Sequence, residues 1–282
     1  MSKVQCEVRY PSHQDDVKHY DTAKLREHFL VKKMMNADEI KMVYSMFDRM
    51  IAGGVMPVNE VVTLEAPEIL RAECFTERRE LGIINTSKGA GVVIVDEEEF
   101  ELGFKEALYI GRGMHTVSFK SLDAACPAQF YFNSAVAHCT YPTTKVTKDN
   151  AIVMELGSLE GSNHRIINRM IVKEVLPTCQ LQMGLTELKP GSVWNTMPAH
   201  THDRRMEIYY YFDIDETDAV CHFMGQPQET RPIWMQGGDA VVSPVWSIHS
   251  ACATSNYTFV WGMGGENHDY TDMDTCAYTD LK

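Results

Sequence analysis

Hydrophobic residues along most of the chain occur in short runs that are separated by Gly, Asn and Pro. These runs are rich in β-branched and aromatic residues, which predicts strands rather than helices. The predicted strands are 83–84, 91–95, 107–110, 129–132, 208–212, 240–242 and 257–261. Many short strands at close spacing are typical of a sandwich or a barrel and not of alternating βαβ units. The pattern therefore predicts an all-β fold.

Helical spacing is clearest between residues 20 and 50. The segment Thr22–Leu30 follows a helical pattern with Thr22 as its predicted N-cap, and Asp38 is predicted to begin a second short segment. We therefore expect a few short helices, mainly near the N-terminus, ahead of the β-rich part of the chain.

Two pairs of segments echo each other along the chain. Residues 77–84 resemble residues 203–210 at an offset of 126 (203 minus 77), and residues 106–115 resemble residues 239–249 at an offset of 133 (239 minus 106). Two echoes in the same order indicate a duplicated β domain. Each match is short, so chance similarity is the alternative.

The main chemical signal is an H-x-H pair, His200 and His202, followed by Glu207 and later by His249. Three imidazoles and one carboxylate form a complete ligand set for a divalent ion such as zinc. Residues i and i+2 of a strand point the same way about 6.6 Å apart, so the two histidines of the pair can converge. Glu207 has the opposite parity, which predicts a bulge between His202 and Glu207. A solvated histidine pair and a hydrogen-bonded core histidine are the alternative interpretation.

The N-terminal half lacks these ligands. At the 126-residue offset, Cys74, Thr76 and Leu81 occupy the positions of the first three ligands. Only the fourth ligand keeps a counterpart, His115, and one histidine cannot hold an ion alone. We therefore predict one zinc ion per chain, bound in the C-terminal half.

The repeat predicts two domains. The N-terminal domain spans residues 1–155 and has no metal site, and the C-terminal, metal-binding domain spans residues 156–282. An Arg-Arg pair occurs at 78–79 and again at 204–205. Because the pair persists in the half without ligands, we predict that its role is structural.

Composition narrows the function. The 282 residues include 44% hydrophobic residues and carry a formal net charge of −13. No basic run is present, which argues against nucleic acid, whose binding depends on phosphate neutralisation. The N-terminus has no apolar signal region, and no apolar run reaches the roughly 20 residues that a membrane span needs. The eight cysteines are scattered, which is typical of reduced thiols, so we predict a cytoplasmic protein without membrane partners.

Longer motifs give a specific resemblance. They lie at residues 53–57, 77–82, 137–142, 194–202, 224–231, 243–250, 257–263 and 265–267. With the H-x-H-x4-E and P-x4-H patterns, the chain resembles the 5-keto-4-deoxyuronate isomerase family of the cupin superfamily from about residue 20 to 275. Pro232, where the family usually has histidine, and His164, where arginine is more common, are departures that bear on substrate preference.

The resemblance implies a bicupin, in which each domain is a jelly-roll β-barrel, with zinc held by His200, His202, Glu207 and His249. It also implies a homo-oligomer, such as a hexamer, and a small-molecule ketouronate substrate from the breakdown of pectin and related polysaccharides. The implied reaction converts 5-dehydro-4-deoxy-D-glucuronate to 3-deoxy-D-glycero-2,5-hexodiulosonate by moving a carbonyl between adjacent carbons. Zinc suits this chemistry as a Lewis acid without redox activity.

The remaining roles are hypotheses. The general base is Glu229 or a hydroxide on the metal, and Glu229 can also be an ordinary surface carboxylate. Arg231 and Arg165 are candidate anchors for the substrate carboxylate, because arginine binds carboxylates through two parallel hydrogen bonds; salt bridges are the alternative for both. Trp246 is a candidate pocket wall. An Fe(II) cupin dioxygenase and a non-catalytic sugar-binding cupin are the alternative functions.

Overall fold

The computed structural model describes residues 4–266 and 269–282. The first three residues of the chain, and Asn267 of the last resemblance motif, lie outside this description. The helices are α1 (Gln14–Val17), α2 (Thr22–Phe29) and two 3₁₀ turns (Glu68–Leu70, Tyr278–Asp280). The strands, in chain order, are β1 (Val4–Arg9), β2 (Leu30–Val31), β3 (Ile40–Ser45), β4 (Ile51–Val55), β5 (Val62–Thr63), β6 (Arg79–Asn85), β7 (Gly91–Val95), β8 (Glu98–Leu102), β9 (Ala107–Ile110), β10 (Val117–Ser121), β11 (Phe130–Val136), β12 (Thr144–Val146), β13 (Ile152–Leu156), β14 (Arg165–Ile171), β15 (Gln182–Leu188), β16 (Trp194–Asn195), β17 (His200–Thr201), β18 (Arg205–Phe212), β19 (Val220–Met224), β20 (Arg231–Met235), β21 (Ala240–Ser243), β22 (Ser250–Ala253), β23 (Thr258–Gly265) and β24 (Asp274–Thr275).

The prediction of a mostly β fold is confirmed, and the predicted strands fall on real ones. The strands predicted at 91–95 and 107–110 coincide with β7 and β9, and the aromatic run 208–212 lies in β18. Both β6 and β18 are buried along their whole length, which explains why they are continuously rather than alternately apolar.

The part of the chain that the structure describes contains two seven-stranded and two four-stranded sheets, and the sheets of each size match strand by strand. A seven-stranded sheet β1-β3-β4-β11-β6-β9-β12 is matched by β13-β14-β15-β23-β18-β21-β2, and a four-stranded sheet β5-β10-β7-β8 is matched by β16-β22-β19-β20. The two sequence echoes fall on equivalent strands, β6 with β18 and β9 with β21. Among the described residues no sheet closes on itself, so the two jelly-roll barrels stay a prediction.

The described residues form two compact units, and each is discontinuous in sequence. The first unit contains the chain up to Arg9, Met34–Ile152 and Arg169–Met183. The second contains Tyr10–Lys33, Val153–Asn168 and Gly184–Lys282. The division into a metal-free domain 1–155 and a metal-binding domain 156–282 stays a prediction.

The N-terminal segment differs in detail from its sequence prediction. Asp21 and not Thr22 caps α2, because the Asp21 carboxylate accepts the backbone N–H of Lys24 at 2.8 Å. Asp38 begins no helix. It lies in a turn with φ +58°, and its carboxylate accepts the backbone N–H groups of Val58 and Asn59.

Residues 10–33 belong to the second unit, to which they add a strand. Leu30 and Val31 of β2 pair with Val241 and Ala240 of β21. The guanidinium of Arg231 donates to the backbone carbonyls that follow α1, those of Val17, Lys18 and Tyr20, at 3.4, 3.3 and 2.6 Å. The second unit is therefore built from both ends of the chain.

A buried carboxylate in the first unit is satisfied by neutral donors. Glu80 of β6 is completely buried, and its oxygens accept the backbone N–H groups of Cys179, Gln180 and Leu181 at 2.7–2.8 Å. The hydroxyl of Tyr109 donates a fourth hydrogen bond at 2.8 Å. The predicted absence of disulfides is consistent with the structure, in which the eight cysteines are free thiols.

No helix among the described residues is long and apolar enough to cross a membrane.

The repeated arginines support the predicted structural role. Arg79 is 4% exposed; its Nε donates to Ser134 Oγ at 3.0 Å, and its Nη2 donates to the carbonyls of Arg49 and Ser134 at 2.6 and 2.8 Å. Its counterpart Arg205 is also buried and donates to the carbonyls of Asp269 and Tyr270.

Replacing Arg79 by alanine should destabilise the protein. The change leaves the buried hydroxyl and carbonyl of Ser134 and the partly buried carbonyl of Arg49 without their donor. Each such loss costs on the order of 1 kcal/mol, so we expect the free energy of unfolding to fall by about 2–4 kcal/mol. Arg71→Ala is the control, because the Arg71 side chain is 84% exposed, and it should change stability by less than about 0.5 kcal/mol. Urea unfolding followed by circular dichroism measures both, and equal stabilities for the two variants would contradict the structural role.

Candidate metal centre

The four sequence-predicted ligands come together in the second unit, each from a different local setting. His200 lies in the short strand β17, which pairs with β24 through His200–Thr275. His202 follows β17, Glu207 lies in β18, and His249 immediately precedes β22. The ligand atoms of these four residues all lie within 4.8 Å of one another.

Glu207 reaches the histidines by a turn and not by the expected bulge. Strand β17 ends at Thr201, residues 203 and 204 form a turn, and β18 begins at Arg205. The backbone N–H of Arg205 contacts the carbonyl of His202 at 3.5 Å across this turn. A bulge is required only if residues 200–207 form one continuous strand. The turn breaks the alternation of side chains, so Glu207 can point toward the histidines without a bulge.

The cluster is compact and closed to solvent. The Nε2 atoms of His200 and His249 are 3.0 Å apart, and one Glu207 oxygen is 2.8 Å from His249 Nε2 and 3.4 Å from His202 Nε2. His200 is the most open member at 9% exposed, and His249 is 1% exposed. Such an arrangement concentrates nitrogen and oxygen lone pairs at one buried point.

Neighbouring groups set the tautomer of His202 and shift the pKa values of His200 and Glu207. The Nδ1 of His202 hydrogen-bonds to the carbonyl of Asp272, which leaves Nε2 to face the cluster. Burial, together with His249 and His202, lowers the pKa of His200 to about 2, so its imidazole is neutral at neutral pH. Burial opposes ionisation of Glu207, but His249 and His202 hold the pKa of its carboxyl well below the usual value. Neutral imidazoles and an ionised carboxylate are the forms that bind metal.

These residues fit zinc. Zinc bonds of about 2.0–2.2 Å in a tetrahedral site place neighbouring ligand atoms about 3.3 Å apart. The observed separations of 2.8, 3.0 and 3.4 Å lie near that value. Nitrogen and oxygen donors in this number suit zinc and other borderline divalent ions, so the donor set alone does not select one.

The counterpart position in the first unit holds no such group. Cys74 and His115 line an open cavity of about 620 Å³ together with three glutamates, Glu68, Glu73 and Glu77. Neither Cys74 nor His115 belongs to a metal-binding group among the described residues. A further cluster among the described residues of the first unit consists of His138, Cys139 and Cys179, and its two sulfurs are 3.5 Å apart. Its spacing along the chain gives no signal, because Cys179 lies 40 residues after Cys139.

The predicted substrate residues have different surroundings. Arg165 is half-buried; burial lowers its pKa, and the phenols of Tyr270 and Tyr209 partly offset that effect. The Nη1 of Arg165 donates to the carbonyl of Asn163 at 2.9 Å. Arg231, by contrast, donates to the three carbonyls after α1.

Trp246 and Glu229 lie at the edge of the second unit. The Trp246 ring packs edge-on against Phe29 of α2 with centroids 6.2 Å apart, and it is partly exposed. Glu229 is exposed in the loop between β19 and β20. The structure therefore brings together the four ligands, whereas their role toward a metal and the roles of the other predicted residues in the reaction stay predictions.

Comparisons with known proteins agree on one family. The model of the KduI/IolB family matches residues 29–280. The 4-deoxy-L-threo-5-hexosulose-uronate ketol-isomerase of Bacteroides fragilis is 60% identical over 280 residues, which is 99% of this chain and 100% of that protein. The corresponding enzyme of Yersinia pseudotuberculosis is 52% identical over 98% of this chain and 100% of its own length.

Solved structures show a similar fold at low identity. An IolB-like protein from Salmonella typhimurium aligns with a TM-score of 0.67 and 13% identity, over 80% of this chain and 87% of that one. The oxalate decarboxylase of Lactobacillus farciminis aligns with a TM-score of 0.54 and 12% identity, over 78% of each chain. These neighbours establish a cupin-like fold.

Proposed function

Since the chain belongs to the KduI/IolB family and is a uronate ketol-isomerase, we propose that it is a zinc enzyme and that it converts 5-dehydro-4-deoxy-D-glucuronate to 3-deoxy-D-glycero-2,5-hexodiulosonate. The observation that supports zinc is the buried group of three histidines and one glutamate, which has no equivalent at the repeat position among the described residues. We propose His200, His202, Glu207 and His249 as its ligands.

The reaction moves a proton between adjacent carbons of the substrate while a carbonyl and a hydroxyl exchange places. When bound, zinc supplies a Lewis acid that stabilises negative charge on the substrate oxygens. The burial of His202, Glu207 and His249 excludes water from that place, which strengthens electrostatic interactions there. The ionised Glu207 lowers the net charge of the site.

A general base must take the proton from carbon. We propose Glu229 for this step; it is exposed in the loop between β19 and β20, in the same unit as the ligands. Glu229→Gln tests the proposal, since loss of the base should lower kcat by at least about a hundredfold without changing zinc content. A variant with normal kcat would remove Glu229 from the mechanism.

The substrate carboxylate needs a paired donor, and we propose Arg165 ahead of Arg231. The guanidinium of Arg165 donates to one carbonyl, that of Asn163, whereas the guanidinium of Arg231 donates to three carbonyls. Arg165→Lys should raise KM about tenfold or more, because lysine cannot reproduce the planar fork. Arg231→Lys should lower the melting temperature instead. If only Arg231→Lys raised KM, the two assignments would be exchanged.

One assay separates the proposed function from its alternatives. Purified, zinc-loaded protein should consume the unsaturated-uronate breakdown product, measured as loss of the starting ketouronate, without oxygen uptake. Oxygen consumption by protein loaded anaerobically with Fe(II) would instead favour a dioxygenase, and ligand binding without turnover would favour a sugar-binding cupin. We also propose a homo-oligomer, such as a hexamer, which analytical ultracentrifugation tests directly.

A further inference from the structure

Six side-chain polar atoms of the second unit are buried without a hydrogen-bond partner among the described residues. Three of them lie on β21, β23 and β19: Oγ of Ser243, Nε1 of Trp261 and Nε2 of His222. The others are Oδ1 of Asn168, Oδ1 of Asn195 and Nε of Arg205. Ser243, Trp261 and His222 are 1%, 3% and 0% exposed. An unpaired buried polar group costs free energy, about 1–3 kcal/mol for each, so three together are a large fraction of the stability of a domain.

Sheet register places two of these atoms next to the metal cluster. Ser243 of β21 is directly opposite Glu207 of β18, and Trp261 of β23 is directly opposite Tyr209. Residues that face each other across antiparallel strands project from the same face, with Cβ atoms about 4.5–5.5 Å apart. Since Glu207 points at the histidines, Ser243 lies on the metal side of the sheet, and Trp261 lies one pleat further along.

His222 approaches the same face from the four-stranded sheet. Its ring lies edge-on to Tyr209, with centroids 5.8 Å apart, and Tyr209 in turn is 5.5 Å from His249. The hydroxyl of Tyr211 hydrogen-bonds to His222 Nδ1 at 2.8 Å. Burial lowers the pKa of His222 to about 3, so the ring is neutral. If Tyr211 donates to Nδ1, the proton of the neutral imidazole lies on Nε2, and the unpaired atom is a donor.

All three atoms can donate a hydrogen bond. The indole N–H can only donate, the imidazole Nε2–H donates in this tautomer, and the serine hydroxyl can donate or accept. A ligand that satisfies all three must present several oxygen acceptors. A 4-deoxy ketouronate has a carboxylate, carbonyls and hydroxyls, and it matches this requirement.

We propose that Ser243, Trp261 and His222 bind the substrate by donating hydrogen bonds to its oxygen atoms, with Ser243 at the oxygen nearest the metal cluster. This inference rests on the proposed function. It adds three residues to Arg165 as proposed substrate contacts. The unpaired donors then lower the stability of the substrate-free protein, because the site is already arranged for the substrate before it binds.

The test uses Ser243→Ala, Trp261→Phe and His222→Asn in zinc-loaded, full-length protein. Asparagine retains an acceptor near the Nδ1 position for Tyr211 while it removes Nε2. Each variant should lose about ten- to hundredfold in kcat/KM, because a hydrogen bond to a substrate oxygen is lost. Zinc affinity, measured by competition with a chelator, should stay within about twofold of wild type.

Stability gives a readout that is independent of activity. Ser247 is the matched control, because it is also 1% exposed but its hydroxyl donates to the carbonyl of Ile248 and accepts the N–H of Gly225. Removing a satisfied hydroxyl should lower the melting temperature, whereas removing an unpaired one should leave it unchanged or raise it. We therefore expect Ser247→Ala to melt below wild type and Ser243→Ala to melt at or above it.

The outcomes separate the two levels of the proposal. A wild-type enzyme without turnover would overturn the proposed function. An active wild type with Ser243→Ala, Trp261→Phe and His222→Asn of normal kcat/KM would overturn only this inference. If Ser243→Ala bound zinc more weakly than wild type, the role of Ser243 would be to orient Glu207. If Ser243→Ala melted at a temperature as low as Ser247→Ala, the Ser243 hydroxyl would have a hydrogen-bond partner in the substrate-free protein. Either result would remove Ser243 from the substrate set.

Discussion

Replacing Glu207 by glutamine should weaken zinc binding by at least about a hundredfold and reduce isomerase activity by a similar factor. Changes to groups that merely support metal ligands cost 10–100-fold in affinity, and a ligand itself should cost more. Glutamine has nearly the same shape, but it lacks the negative charge that lies 2.8 Å from His249 and 3.4 Å from His202. The protein should still unfold cooperatively, since β18 keeps its backbone pairs with β21 and β23.

Chelator competition and the ketouronate assay measure these effects. Glu216→Gln is a control, because Glu216 is exposed in the same unit and the same chemical change there should alter neither quantity. A Glu207→Gln variant with wild-type zinc affinity and activity would reduce the site to three histidines. The assignment of the carboxylate as a ligand would then be wrong.

Removing zinc should abolish turnover and lower the melting temperature. A ligand that binds only the folded state stabilises it by about 2.7 kcal/mol when its free concentration is 100 times Kd, and by about 4.1 kcal/mol at 1,000 times Kd. We expect about one zinc per chain in protein purified without chelator, and readdition of zinc should restore both properties. Elemental analysis and differential scanning calorimetry measure the two quantities.

A pair of histidine variants locates the ion. His249→Ala should lose zinc, because it removes a ligand that is 1% exposed within the cluster. His115→Ala should retain it, because the repeat counterpart is exposed and lies outside every metal-binding group among the described residues. Two zinc ions per chain at the repeat positions, or loss of zinc in His115→Ala, would contradict a site in the second unit alone.

The metal ligands could be predicted from sequence because their chemistry is local. Histidines at i and i+2, a glutamate soon after and a third histidine before a strand are visible in the order of residues. The route by which Glu207 converges was wrong, since a turn at residues 203–204 replaces the bulge. A turn and a bulge satisfy the same spacing between His202 and Glu207. The structure shows a turn because β17 pairs with β24, at His200 and Thr275, whereas β18 pairs with β21 and β23.

The neighbours of the ligands could not be predicted, because they depend on strand register. Ser243 lies opposite Glu207 only because β18 and β21 align as they do, and a shift of one residue would turn the Ser243 side chain to the other face. Arg231 shows the same limit. It is predicted as a substrate anchor because arginine binds carboxylates through paired hydrogen bonds and because it lies in the metal-binding half. Its contacts with residues 17–20 join chain segments more than 200 residues apart, which the sequence does not reveal.

The pairing of β2 with β21 has a consequence for biosynthesis. Leu30 pairs with Val241, so the strand that follows α2 has no partner until the ribosome has added about 210 more residues. At the usual 5–20 residues per second this delay is on the order of 10–40 seconds, during which the strand edge stays open to wrong partners. A chain that terminates before residue 240 would leave that edge open permanently. One of the first segments to leave the ribosome is therefore among the last to take its place in the fold.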